Sequence, residues 1–259
     1  MAADRPIAHD VTDDAILGGR LRLLQPRKGH RFGHDAILLA ACTPAQSGER
    51  VAEFGAGVGA ASLAVLARVP GTHVTLIEVD AALCALAREN IARNDFDDRA
   101  RVVHGDVMSE DVASLAKDER GFQHVLMNPP FNPASLQPSP DAKRRQAHAA
   151  GDELLANWTQ QAARLLCDHG MLTLIWRAEA EDDVIATLQP HFPALGIIKI
   201  HPAPGRGAIR IIVRAEKTGE RQVRQFAPLT LMNADQRPSE EAEAIMRHLG
   251  AWPSEASNK

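Results

Sequence analysis

The chain has 259 residues and a formal net charge of −4: long enough for one large domain or two small ones and for a sizeable core, and without global attraction to a polyanion or a membrane, so a nucleic-acid partner must meet a local basic patch. Its three cysteines, Cys42, Cys84 and Cys167, stand far apart without a C-x-x-C spacing, which argues for reduced core thiols in a cytoplasmic protein over disulfides or a metal site. No apolar run approaches the ~20 residues of a membrane span, and the acidic opening MAADRPIAHDVTDD lacks the hydrophobic centre of a secretory signal.

Residues 1–29 read as an N-terminal extension whose first dozen residues are loosely ordered. From residue 51 short β-type runs alternate with helical patterns. RVAEFGAG is a strand ending in glycines, and AASLAVLARV a helix with Leu63, Leu66 and Ala67 on one face. HVTLIEVD is the next strand, followed by a helix with Leu83, Leu86, Ala87 and Ile91 facing inward. ARVVHGD, FQHVLMN and MLTLIWR continue the strands, with a helix from about Glu153 to Asp168 that stops at Gly170. This alternation predicts a parallel sheet with helices on both faces. LGIIKI and AIRIIVRAEK are separated by a Pro/Gly loop too short for a crossover helix, so one of these last strands must be antiparallel. The result is an α/β domain over 30–235 with a mostly parallel, seven-stranded sheet. Pro238-Ser239 with Glu240 and Glu241 then opens a packing helix ending near Gly250, within a C-terminal segment 236–259.

Two stretches carry the chemistry. In VLMNPPFNPAS an apolar strand runs into Asn128-Pro129-Pro130-Phe131. Proline lacks the amide that a sheet ladder needs, and each proline holds the residue before it extended. Asn128 and Pro129 are therefore stiffly placed acceptors at a strand end. In EFGAGVGA, Gly55, Gly57 and Ala60 formally satisfy the dinucleotide fingerprint, with Glu78 at the spacing of a ribose carboxylate. Three features favour S-adenosylmethionine over NAD. Glu53, two residues before Gly55, repels a pyrophosphate but attracts an ammonium, while the helix after Gly59 presents its amino end to a carboxylate. Glu78 can accept from both ribose hydroxyls. Asp106 can accept from an adenine amino group while the Val107 amide donates to the ring. With Asn128, these groups sit at the ends of four successive strands, the edge where open α/β sheets bind ligands.

With these residues in place, the chain resembles the class I S-adenosylmethionine-dependent methyltransferases over about residues 30–215. The resemblance implies a Rossmann-like methyltransferase fold and, through Asn-Pro-Pro followed by an aromatic residue, methylation of a planar amino or amide nitrogen. RFGHDAILLAA is similar to the segment before the cofactor site in bacterial tRNA (adenine-6-amino) methyltransferases, which act beside the anticodon of a valine tRNA. Phe131 stands where tyrosine is common, and His34 where threonine is usual before Asp35. On this reading Asn128 Oδ1 and the Pro129 carbonyl accept the amino hydrogens, drawing the nitrogen lone pair towards the methyl group. Phe131 stacks on an unstacked base.

Other assignments are more open. Asp35 either caps the helix AILLAAC or belongs to the cofactor side. Lys143, Arg144 and Arg145, in DAKRRQAH, are expected to bind RNA phosphates. RLRLLQPRKGHR and RGAIRIIVRAEKTGERQVR form further basic patches. His30 and His34 flank Gly33 and do not make a helical metal pair, so no metal is expected. The rivals are methylation of a guanine amino group in ribosomal RNA, of a release-factor glutamine, an NAD-binding oxidoreductase, and an inactive RNA-binding scaffold. Release-factor enzymes carry a longer helical segment before the glycine loop. An oxidoreductase has no use for Asn128-Pro129-Pro130. Nothing in the sequence assigns an oligomeric state.

Overall fold

A computed structural model of the chain describes residues 10–29, 31–109, 121–130 and 142–253, with backbone alone at 142–150 and 152. An antiparallel hairpin, β1 (Val11–Ile16) and β2 (Leu21–Pro26), comes first, joined by a turn at Leu17–Gly19. Then follow α1 (His34–Cys42), β3 (Arg50–Phe54), α2 (Ala60–Arg68), β4 (His73–Glu78), α3 (Ala81–Arg93), β5 (Ala100–His104) and β6 (Phe122–Met127). The second half holds α4 (Ala142–Leu165), β7 (Leu166–Arg177), α5 (Glu181–Leu188), β8 (Ala194–His201) and β9 (Arg210–Glu216). It ends with β10 (Gln222–Gln225), β11 (Leu229–Thr230) and α6 (Glu240–His248).

The main sheet has the order β10–β8–β9–β7–β6–β3–β4–β5, with β11 also paired to β8. Only β9 runs against its neighbours, β7 and β8. The loop between β8 and β9 is too short to return the chain to the other end of the sheet, so the pair must be a hairpin. The seven expected strands are β3 to β9. Two short strands, β10 and β11, extend the sheet in parallel along β8.

Successive side chains of a strand point to opposite faces, and the strands divide their apolar residues accordingly. Leu126, Ile175, Ile198 and Ile212 pack with Leu38, Leu63, Ile91 and Ile245 of α1, α2, α3 and α6. Val125, Leu174, Ile197 and Val213 pack with Leu155, Trp158, Leu165 and Val184 of α4 and α5. Each face is closed by helices, which is why the strands are apolar throughout rather than alternating. The terminal helix α6 starts where expected: the Ser239 hydroxyl accepts from the Ala242 amide at 3.0 Å.

The reading of the helix before β7 needs correction. It runs from Ala142 to Leu165 and does not reach Gly170, which lies inside β7. Phe122 pairs with Leu166 but His124 with Met171, so the residues between them on β7 bulge out of the ladder, and His169 adopts φ +60°. Gly170 serves a close approach there: a Cβ would meet the Cys167 carbonyl oxygen at 2.9 Å.

Candidate active site

The carboxyl ends of β3, β4, β5 and β6 lie side by side. Phe54 pairs with Ile77 and with Met127, and Glu78 with His104. Gly55, Glu78, Gly105-Asp106 and Asn128 therefore leave the sheet at one edge.

The glycine loop is held by its own strands. The Ala56 amide donates to the Ile77 carbonyl at 3.1 Å, and the Gly57 amide to Glu78 Oε2 at 2.7 Å. Gly55 (φ +61°) passes directly over Trp158: a Cβ would meet its ring at 2.7 Å. Trp158 in turn stands edge-on to Phe54, with ring centroids 6.0 Å apart. Gly59 (φ +90°) caps α2, and a Cβ there would strike Leu63 and Leu76 at 2.8 Å. A side chain at either position would both strain the backbone and open the packing beneath the loop.

Glu78 is buried. Its Oε1 accepts from the Asp80 amide at 2.9 Å while Oε2 holds Gly57. A carboxylate has about four acceptor sites, so these two bonds leave room for a vicinal diol. Val79, directly after it, is 63% exposed, an unusual position for a valine. Asp106 is exposed, its Oδ1 accepting from the Met108 amide at 2.8 Å. Val107 is buried beside Phe54, Ile77 and Trp158.

Glu53 is also buried, and its Oε2 accepts from both the amide (2.9 Å) and the hydroxyl of Ser62 in the first turn of α2. One of the helix's first amides is thus taken by this chain's own carboxylate. Burial, aided by nearby Glu78, pushes the Glu53 carboxyl up to about 7, and the Ser62 bonds oppose the rise. Ser62 and Trp158 escaped the sequence reading. A small hydroxyl in AASLA and a tryptophan in a helix look like ordinary core residues until the fold brings them under the glycine loop.

Asn128 is partly buried and Pro129 buried at the end of β6. Phe131 lies outside the described residues. Lys143, Arg144 and Arg145 fall in the first turns of α4, where the backbone alone is described. Asp35 does not cap α1: the cap is Gly33, with no side-chain bond. Its Oδ2 instead accepts from Arg210 Nε at 2.9 Å, tying α1 to the start of β9. Helix α1 itself packs against α2, the helix that follows the glycine loop, and against β7. No group of three metal-ligating side chains occurs among the described residues. None of their helices is long and apolar enough to cross a membrane.

Residues 31–200 match the family model of the methyltransferase small domain. A tRNA1(Val) (adenine(37)-N6)-methyltransferase of Porphyromonas gingivalis is 34% identical over 149 residues, which cover 56% of this chain and 58% of that one. The protein of the same name from Bacteroides thetaiotaomicron is 26% identical over 185 residues, covering 71% and 75%. Among solved structures, a predicted O-methyltransferase from Agrobacterium tumefaciens superposes with a TM-score of 0.70 at 28% identity, over 84% of this chain and 98% of its own.

Proposed function

The chain belongs to the methyltransferase small-domain family, and from that premise we propose that it methylates the exocyclic amino nitrogen of an adenine in tRNA, with S-adenosylmethionine as donor. The observation that carries the reading is the shared edge: Glu78 and Asn128 leave the sheet on either side of the glycine strand β3. The relatives named as tRNA adenine methyltransferases support the choice of acceptor.

S-adenosylmethionine, when bound, supplies an electrophilic methyl group on a sulfonium. Glu78 receives the ribose hydroxyls, and Asp106 with the Val107 amide receives the adenine, which Val79 covers. The second oxygen of Glu53 meets the ammonium, while Ser62 keeps the first oxygen in place. Asn128 Oδ1 and the Pro129 carbonyl accept the two amino hydrogens of the target adenine. This holds the nitrogen in line and enriches its lone pair, so positioning and electrostatics do the work of a base. Phe131 stacks on the flipped ring, which an anticodon loop can present at low cost. Asp35, oriented by Arg210, belongs to the cofactor side, on the helix that packs against α2. Lys143, Arg144 and Arg145 hold phosphates, joined by Arg206, exposed at the tip of the β8–β9 loop. The reaction belongs in the cytoplasm, where Cys42, Cys84 and Cys167 stay reduced.

The experiment offers labelled S-adenosylmethionine with total tRNA, ribosomal RNA and release factor in separate reactions. The modified acceptor is then digested and identified. N6-methyladenine in tRNA is the expected product; a methylated guanine, ribose or glutamine would replace this reading.

A further inference from the structure

Strand β2 carries a second row of backbone groups that face away from β1, and two asparagines of α3 fill it. The Arg22 amide donates to Asn94 Oδ1 at 3.0 Å, and the Arg22 carbonyl accepts from Asn94 Nδ2 at 2.9 Å. One turn earlier on the helix, the Leu24 amide donates to Asn90 Oδ1 at 2.7 Å and the Leu24 carbonyl accepts from Asn90 Nδ2 at 2.9 Å. Each carboxamide thus supplies the donor and the acceptor that a neighbouring strand would have supplied. Positions four apart lie on one helix face, so the spacing suits alternate residues of the strand.

The two asparagines are not equivalent. Asn90 is fully buried, and its Nδ2 also donates to the Val58 carbonyl at 3.0 Å. Val58 lies between Gly57 and Gly59, in the turn whose Gly57 amide Glu78 holds. An amide nitrogen has two hydrogens, and here one serves the hairpin and the other the glycine loop. Asn94 has no such second role: its other bond goes to the Asn90 carbonyl, within α3. The far end of the hairpin is held separately, with Gly18 packed on the Arg247 carbonyl of α6.

We propose that Asn90 is a positioning residue for the cofactor loop, through which the docked N-terminal hairpin holds the Val58 carbonyl and the Gly57–Gly59 turn in the shape that receives S-adenosylmethionine. The inference rests on the cofactor assigned above. It makes residues 21–26 part of the cofactor site although none of them touches the cofactor. Because coupling between two sites is reciprocal, cofactor binding must also tighten the hairpin on α3.

The test compares Asn90→Ala with Asn94→Ala. Both loosen the hairpin and lower the melting temperature, but only Asn90→Ala frees the loop. Calorimetry with S-adenosylmethionine should show a Kd about tenfold weaker for Asn90→Ala, a change of roughly 1.4 kcal/mol, and near wild-type for Asn94→Ala. At saturating cofactor, Asn90→Ala should keep its kcat. Equal Kd values in the two variants would reduce Asn90 to a packing residue. If Asn90→Ala does not fold, hydrogen exchange on the wild type decides: adding S-adenosylmethionine should slow exchange at the Leu24 amide, and an unchanged rate overturns the proposal. A wild type that binds no S-adenosylmethionine overturns the cofactor assignment, and the inference falls with it.

Discussion

The two halves of the carboxyl edge are built differently. On the β3–β4–β5 side, Glu53 and Glu78 are buried and engaged by the backbone of Ser62, Gly57 and Asp80. The partners of these two carboxylates all come from their own or an adjacent βα unit. On the β6–β7–β9–β8 side, groups that meet come from opposite ends of the chain, as Asp35 and Arg210 do, and Arg206 is exposed. The first half is a set of buried acceptors fixed by backbone amides, which we assign to the cofactor. The second, with Arg206 exposed, is the side we assign to the RNA, as a shelf. A receptor of the first kind can be lost by removing one acceptor; a shelf of the second kind weakens by degrees.

The largest effect expected from a single change lies where the halves meet. Asn128→Ala should lower turnover by about 10²–10³, as does loss of one preorganised polar group elsewhere. Cofactor affinity by calorimetry should stay the same, because Asn128 is assigned to the acceptor amine.

A pH effect follows on the cofactor side. Glu53 titrates near 4.5 when unfolded and is raised to about 7 when folded. Between those values the folded state holds more protons, so this group's contribution to stability is full below 4.5 and is lost as pH rises through 7. The loss is about 1.4 kcal/mol per pH unit and roughly 3 kcal/mol in all. Denaturant unfolding of the free protein at pH 5 and pH 8 should show it, and Glu53→Gln should flatten the difference. Cofactor affinity should run the other way, weakening as pH falls below 7, since the ammonium needs the ionised carboxylate.

Glu78→Ala should weaken S-adenosylmethionine by about 1.5–3 kcal/mol, the range of charged hydrogen bonds. An unchanged Kd would remove Glu78 from the ribose site. The shelf should respond most gently. Replacing Lys143, Arg144 and Arg145 by alanine should lower tRNA affinity and flatten its salt dependence by roughly two units of log slope, about 0.7 per lost single-strand contact. Because phosphate contacts carry no sequence information, all tRNAs should weaken alike. Parallel salt plots for variant and wild type would mean that these residues touch no phosphate.

The same contrast explains what the sequence could disclose. Strands β3 to β6 and the acidic and glycine positions at their ends were legible because each βα unit is local, and its strand, turn and helix patterns follow in order. The Asp35–Arg210 pair was not, since its partners are 175 residues apart. Gly170 was mistaken for a helix end because a glycine after a helical pattern also suits a bulge, and only the pairing with β6 distinguishes the two. The hairpin β1–β2 was read only as part of an N-terminal extension. Its docking through Asn90 and Asn94 depends on a helix dozens of residues later. Glu53 was read as a free carboxylate for the cofactor, whereas one of its oxygens belongs to Ser62.

Single-turnover methylation of tRNA at saturating S-adenosylmethionine tests the division of labour most directly. With cofactor binding saturated, Glu78→Ala should recover a rate close to wild type, while Asn128→Ala should remain slower by about 10²–10³. A near-normal rate for Asn128→Ala would make it only the residue that ends a strand, and the assignment of the acceptor site would be wrong.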